Sequence, residues 1–156
     1  RLPGRFQLLE GRPPIVLDGA HTPRSMDALR DAFAGMPAVR DAEAPPLLVF
    51  GCALGKDHRR MADQLCGGRR PVFMDVIVST PGSFKPSDPS AVAAAFRRTG
   101  ARVSLIADPA EAWKAALEES AGIRPILVTG SFFMAGEIAR IHRFEGPLGG
   151  TKGAGG

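Results

Sequence analysis

The amino-acid sequence predicts an α/β fold, a three-layer sandwich whose mostly parallel sheet of about six strands carries helices on both faces and one antiparallel strand at an edge. Three observations point there. Short apolar, β-branched runs alternate with stretches of helical periodicity. Capping residues followed by proline open several of those stretches, and glycines stand near their ends. The first connection along the chain is too short for a parallel crossover.

The elements follow in order. Arg5–Glu10 reads as a strand, and only Gly11-Arg12-Pro13 separates it from Ile15–Leu17, so the two form an antiparallel hairpin. Thr22-Pro23 caps and opens a helix with Met26, Leu29, Phe33 and Met36 on one face, closing near Gly35. Ala38–Pro46, rich in Ala, Pro and acidic residues, is a loop before the strand Leu47–Phe50. Asp57 caps a helix through Met61 and Leu65 that ends near Gly67. Phe73–Ser79 is the next strand, and Pro81–Asp88 the next loop. Asp88-Pro89 starts a helix bearing Val92, Ala95, Phe96 and Thr99, closed near Gly100. Val103–Ile106 is a strand; Asp108-Pro109, with Glu111 at capping-box spacing, opens a helix with Ala112, Trp113, Ala116 and Leu117 on one face. Ile126–Thr129 is the last strand, and the final helix follows it. Residues 146–156 are expected to be a flexible, glycine-rich tail, which leaves 1–145 as one domain.

Composition narrows the function. At 156 residues, 44% hydrophobic and 23% charged, the chain suits a single soluble domain. No apolar run is long enough for a membrane span, and no signal peptide is visible. The start at Arg1-Leu2-Pro3, without Met, fits a piece of a longer protein. The cysteines Cys52 and Cys66 do not make a disulfide framework, so a reducing, cytoplasmic setting is expected and both read as small buried apolar residues. The net charge of +4 comes from arginine pairs not interleaved with aromatics, which argues against a nucleic-acid surface.

The strand ends hold the candidate chemistry, because open α/β sheets bind ligands there. At the end of Ile15–Leu17, Asp18-Gly19-Ala20-His21 places a carboxylate and an imidazole beside a helix N-terminus, where an anion can meet free N–H groups. Asp18 and His21 either serve a ligand or brace the loop. Gly51-Cys52-Ala53-Leu54-Gly55-Lys56-Asp57 is not a P-loop: three residues, not four, separate its glycines, and Asp57 stands where Ser or Thr is needed. Lys56 is a phosphate or carboxylate contact or a solvated side chain. Ser79-Thr80-Pro81-Gly82 reads as a turn. Ser131 either caps the last helix or serves a ligand carboxylate, and Gly130 permits close approach. His21, His58 and His142 are scattered, so no metal cluster is expected, and no nucleophile elbow occurs.

Together these segments form a pattern. Pro3-Gly4-Arg5-Phe6, Leu17-Asp18-Gly19-Ala20-His21, Phe50-Gly51 through Lys56-Asp57, the Thr80-Pro81 strand end and Val128-Thr129-Gly130-Ser131-Phe132-Phe133-Met134-Ala135-Gly136 follow one another along the chain. In this the chain resembles the C-terminal domain of folylpolyglutamate synthase/dihydrofolate synthase, a Rossmann-like domain of the Mur ligase superfamily, over nearly its whole length except the tail. The resemblance implies an ATP-dependent amide ligase of folate biosynthesis and polyglutamylation. ATP phosphorylates a pteroate or folate carboxylate, and the amino group of L-glutamate attacks the acyl phosphate.

It further implies that Arg5 and Asp18 contact ATP, that His21 and Ser131 bind glutamate, and that Lys56 and Asp57 belong to a motif touching phosphate or substrate. No catalytic residue and no metal ligand are implied in this chain. The P-loop and the magnesium (Mg2+) sites belong to a central ATPase domain, the expected partner, and this chain has neither; alone it is expected to be inactive. Thr22 departs from the asparagine usual after the histidine, which removes an amide donor. Two alternatives share the sequence features: a free-standing α/β module that binds a nucleotide or carboxylate, and a Mur-type ligase domain acting on cell-wall precursors. Pro-Gly-Arg-Phe and Gly-Ser-Phe-Phe argue against the latter.

Overall fold

In the computed structural model, which describes residues 5–9, 13–83 and 85–145, the apolar runs are continuous because the strands they form are covered on both faces. The elements in chain order are β1 (Gln7–Leu9), β2 (Ile15–Leu17), α1 (Pro23–Ala34), α2 (Pro37–Arg40), β3 (Leu47–Phe50), α3 (His58–Cys66), β4 (Asp75–Val78), α4 (Pro89–Arg98), β5 (Arg102–Leu105), α5 (Pro109–Ser120), β6 (Ile126–Thr129) and α6 (Phe132–Glu145). Every residue of β2, β3, β4 and β6 is buried. The sheet order is β1-β2-β6-β3-β4-β5. Only the edge strand β1 is antiparallel, pairing Gln7 with Leu17 and Leu9 with Ile15.

Successive strand residues point to opposite faces, and two cores result. Val16, Leu48, Phe50, Val76, Val78 and Leu127 face the layer of α1, α3 and α4. Leu17, Leu47, Val49, Ile77, Ile126 and Val128 face α5 and α6. The chain order explains this split. From β2 through β5 the chain moves one way across the sheet; from β5 it returns to β6, in the middle. A right-handed crossover that reverses direction must place its helix on the opposite face.

The caps form as the sequence implies. Ser25 N–H donates to Thr22 Oγ1 at 3.2 Å, and Ser25 closes a reciprocal capping box. Asp57, Asp88 and Asp108 accept from Arg60, Ala91 and Glu111 N–H at 3.2, 3.1 and 3.1 Å, each contact stabilising its helix by about 1 kcal/mol. Some boundaries differ. The first strand is shorter than Arg5–Glu10 because Phe6 takes a left-handed φ of 43°; Glu10 lies outside the described residues, as does the 146–156 tail. The strands expected at Phe73–Ser79 and Val103–Ile106 are Asp75–Val78 and Arg102–Leu105. Pro37 opens one helical turn inside the expected 38–46 loop.

A charged brace closes the amino-terminal end of the sheet. Asp75, opening β4, accepts from Arg102 Nε at 2.6 Å and Nη2 at 3.1 Å, and from Arg124 Nη2 at 2.7 Å. Arg124 also donates to the carbonyls of Pro45 and Pro46 and to Glu119.

The α5–α6 seam holds an unusual pair. Trp113 Nε1 and His142 Nδ1 are buried without hydrogen-bond partners among the described residues, and their rings meet edge-on at 5.7 Å. Burial lowers the His142 pKa from its ordinary value of 6.5. The unfolded chain therefore takes up this proton first. The stability is intact above about pH 6.5 and declines as pH falls from there toward the folded value. Replacing His142 by Phe is expected to flatten that decline. Urea midpoints at pH 7.5 and 5.5 measure it, and an equal fall in both proteins would refute the assignment.

Candidate functional site

The crevice at the carboxyl end of β6 follows from the topology. β6 lies between β2 and β3, whose following helices α1 and α3 cover one face, whereas α6 runs to the other. The loops part on either side of β6, which makes this the switch point where open sheets take ligands. Hydrogen bonds knit the strand ends together. Gly130 N–H and Thr129 Oγ1 donate to Ala20 O at 3.0 and 3.3 Å, and Gly51 N–H donates to Thr129 O at 3.2 Å. Gly130 holds φ at 108°, and a Cβ there would sit 2.5 Å from Gly51 O. The close approach expected at Gly130 is thus to the neighbouring strand end.

Asp18 is the hinge of the β2 end. Its Oδ1 accepts from Ala20 N–H at 2.7 Å and its Oδ2 from Phe6 N–H at 2.8 Å. One carboxylate thereby shapes the 18–21 loop and ties the segment carrying Arg5 to it. Arg5 is exposed and has no ion pair among the described residues. His21 Nδ1 donates to Gly19 O at 2.9 Å. A carbonyl only accepts, so Nδ1 carries the hydrogen, and Nε2 is left without a protein partner among the described residues. The His21 ring packs against Phe132 at 5.5 Å, tilted by 60°. Arg5, Asp18, His21, Thr22, Ser25 and Phe132 line one groove of about 530 Å³.

The remaining candidates lie apart from that groove. Ser131 is buried, and its Oγ accepts from Phe133 N–H at 3.0 Å, so it caps α6. Asp57 caps α3. Lys56, on the β3–α3 loop, is half-buried and has no ion pair among the described residues. At the β4 end the hydroxyls of Ser79 and Thr80 both donate to Ala107 O, at 3.1 and 2.8 Å, which fits the turn reading. Burial pushes the Cys52 thiol up to about 11, partly opposed by Lys56, and the Cys66 thiol up to about 12. Neither supplies a thiolate at neutral pH.

A second groove of about 410 Å³ opens between Pro81, Gly82, Ser83, Phe132, Phe133 and Glu137. Phe132 and Phe133 are each 46% exposed, and Lys85 Nζ stands 5.5 Å from the Phe133 ring centre. Both rings stand in the motif at the end of β6, but the motif gave them no role at the site. Their mark was two consecutive phenylalanines at a strand end, where a helix start calls for polar residues.

Arg5 offers a forked cation to phosphate. Among the described residues no group of three His, Cys, Asp or Glu can hold a metal ion, so the magnesium implied by the resemblance does not fit these residues. No helix among them is long and apolar enough to cross a membrane.

Residues 4–132 match the family described as Mur ligase, glutamate ligase domain. The chain is 32% identical over 136 residues to a probable bifunctional folylpolyglutamate synthase/dihydropteroate synthase of Halobacterium salinarum, covering 86% of this chain and 16% of that protein. It is 33% identical over 117 residues to a UDP-N-acetylmuramoyl-L-alanyl-D-glutamate–2,6-diaminopimelate ligase of Chlorobaculum tepidum, covering 74% of this chain and 22% of that protein. Among solved structures it is similar to Mycobacterium tuberculosis folylpolyglutamate synthase complexed with ADP and AMPPCP, with a TM-score of 0.71 and 28% identity, covering 90% of this chain and 32% of that one. The chain therefore spans less than a third of the length of each of these relatives.

Proposed function

The chain belongs to the Mur ligase family as its glutamate ligase domain, and from that premise we propose that it is the C-terminal part of a ligase that adds L-glutamate to dihydropteroate or folate. In that reaction ATP supplies the phosphoryl group that turns the substrate carboxylate into an acyl phosphate. The glutamate nitrogen attacks the acyl carbon, and phosphate leaves. The catalytic ATPase machinery and the magnesium ligands reside in a partner domain of the same protein, and this domain closes over them in the cytoplasm.

Within the chain, Arg5 pairs with the nucleotide phosphates. Asp18 serves the nucleotide by holding the Arg5 segment through Phe6 N–H; its remaining lone pairs are free for ribose hydroxyls. The Nε2 of His21, without a protein partner among the described residues, is open to the incoming glutamate. Ser131 serves glutamate by fixing the start of α6, and its own hydroxyl hydrogen remains to donate. Lys56 supplies a further cation to phosphate or carboxylate, and Asp57 orients its loop as the α3 cap.

The observation carrying this reading is the convergence on one groove at the sheet's switch point of Arg5, without an ion pair among the described residues, the bridging Asp18, and His21, whose Nε2 has no protein partner among them. The test is an assay of the full-length ligase with ATP, glutamate and either dihydropteroate or a reduced folate. Arg5→Ala is expected to raise the ATP KM about tenfold, the worth of a charged hydrogen bond, with the glutamate KM unchanged. The 156-residue chain alone is expected to turn over nothing. An unchanged ATP KM, or ligation by the chain alone, would count against the reading.

A second reading, a ligase domain for cell-wall precursors, is favoured by the similarity to the diaminopimelate ligase. Turnover of a muramoyl-peptide substrate and not of pteroates would select it. A free-standing binding module would be selected by nucleotide binding in a protein without an ATPase domain.

A further inference from the structure

We propose that Phe132 is a positioning residue of the glutamate subsite: its ring holds the His21 imidazole with Nε2 toward the groove, and its bulk is what requires glycine at position 19. This rests on the reading of His21 above. The hydrogen bond from Nδ1 to Gly19 O fixes one edge of the imidazole only. A ring held at a single nitrogen can still swing about that contact. The Phe132 ring, packed 5.5 Å away and tilted by 60°, is the side chain placed to limit that swing.

Phe132 sits on a backbone that is fixed on either side. It opens α6 directly after Ser131, whose Oγ takes Phe133 N–H, and Gly130 N–H is bound to Ala20 O. The same bonds that join β6 to the 18–21 loop therefore set the distance between the two rings. Phe132 is 46% exposed and lines both grooves, so it contributes little to the core. An exposed aromatic at this place serves the wall between the grooves.

Gly19 gives the independent mark. It is not among the glycines with positive φ, so its backbone conformation does not demand glycine. A Cβ at position 19 would instead run into Cδ1 and Cε1 of Phe132. The glycine of Asp-Gly-Ala-His is thus sterically paired with an aromatic ring more than a hundred residues further on. Gly19→Ala moves the Phe132 ring off His21 without removing it.

The experiment uses the full-length ligase. Phe132→Ala and Gly19→Ala are each expected to raise the glutamate KM about fivefold to tenfold, the range of one aromatic contact, with the ATP KM unchanged. Phe132→Tyr keeps the ring and is expected to keep the glutamate KM. The double variant is expected to match Phe132→Ala within twofold, because the new methyl enters the vacated space. A long-range 1H–15N spectrum of the His21 ring is expected to lose its single Nδ1–H tautomer in Phe132→Ala, a change that loss of general packing would not produce. If His21→Ala raises the glutamate KM and Phe132→Ala does not, the proposal is overturned alone. If His21→Ala leaves the glutamate KM unchanged, the reading of His21 is overturned and this proposal with it. Losses that add in the double variant overturn the steric pairing.

Discussion

Asp75→Ala is expected to destabilise the fold by about 3 kcal/mol, at the lower end of the cost of breaking a buried ion pair. In a thermal melt this is a fall of about 10 °C for a domain of this size. The reason lies in Arg124. Its side chain is 13% exposed, and Asp75 is its short-range carboxylate at 2.7 Å, itself 11% exposed. Removing Asp75 leaves a buried guanidinium with two carbonyls and the more distant Glu119. The cost stays at the low end because those acceptors remain. Arg102 makes two of the three bonds to Asp75, yet its side chain is 76% exposed; Arg102→Ala is expected to cost far less, because water replaces its partner.

The pH dependence follows with a fixed sign. The hydrogen bonds from Arg102 first, and the Arg124 guanidinium after it, hold the Asp75 carboxyl below the usual carboxylate range. The stability it contributes is complete above the unfolded value, about 3.9, and is lost as pH falls through the lower folded value. Wild type and Asp75→Ala should therefore differ fully at pH 7 and converge below about pH 4. A constant gap down to pH 2, or a gap under about 1 kcal/mol at pH 7, would refute the role of the brace.

Asp18→Ala in the full-length ligase is expected to lower kcat/KM for ATP and for glutamate together, each by about a hundredfold. The carboxylate accepts from two backbone N–H groups, and a hydrogen bond to a charged group is worth about 1.5–3 kcal/mol. One bond shapes the loop that ends in His21, and the other places the segment of Arg5. Losing both uncouples the two halves of the groove at once, which no single ligand contact would do. Asp18→Asn keeps one acceptor oxygen and is expected to fall between. The domain should remain folded, since Ala20 is the one residue of the 18–21 loop in a core cluster, and the rest of both cores is built from the strands and helices. A loss confined to ATP would show that Asp18 acts only on the nucleotide; global unfolding would show that it only braces the chain.

The fold was largely legible in the sequence because its determinants are local. Doubly covered strands read as unbroken apolar runs, and Thr22, Asp57, Asp88 and Asp108 cap helices within a few residues of themselves. Phe6 is different: its left-handed turn is held from Asp18, twelve residues away, so the strand boundary was misplaced. At the end of α5 the left-handed region is entered one residue before the glycine, at Ala121 with φ 49°, ahead of Gly122 with φ 72°. The Asp75–Arg124 pair joins residues 49 positions apart, beyond any local pattern. At the groove, motif spacing pointed to Asp18 and His21 but not to Phe132, because only the return of the chain to β6 brings that ring beside them. Ser131 was legible as a cap and as a ligand contact alike; its bond to Phe133 N–H decides the geometry of the first.

The place of β6 has a consequence for how the molecule comes to exist. The strand that joins β2 to β3, pairing Ile126 with both Ile15 and Leu47, is the last of the strands to leave the ribosome. Until it arrives, the sheet has a vacancy at its centre, and the facing edges of β2 and β3 wait unpaired while β4 and β5 are made. Such long-range closure is slow and leaves the nascent chain open to misassociation. Insertion of one short strand then seals the sheet and brings Phe132 against His21, so the groove lined by both forms only in the step that completes the sheet.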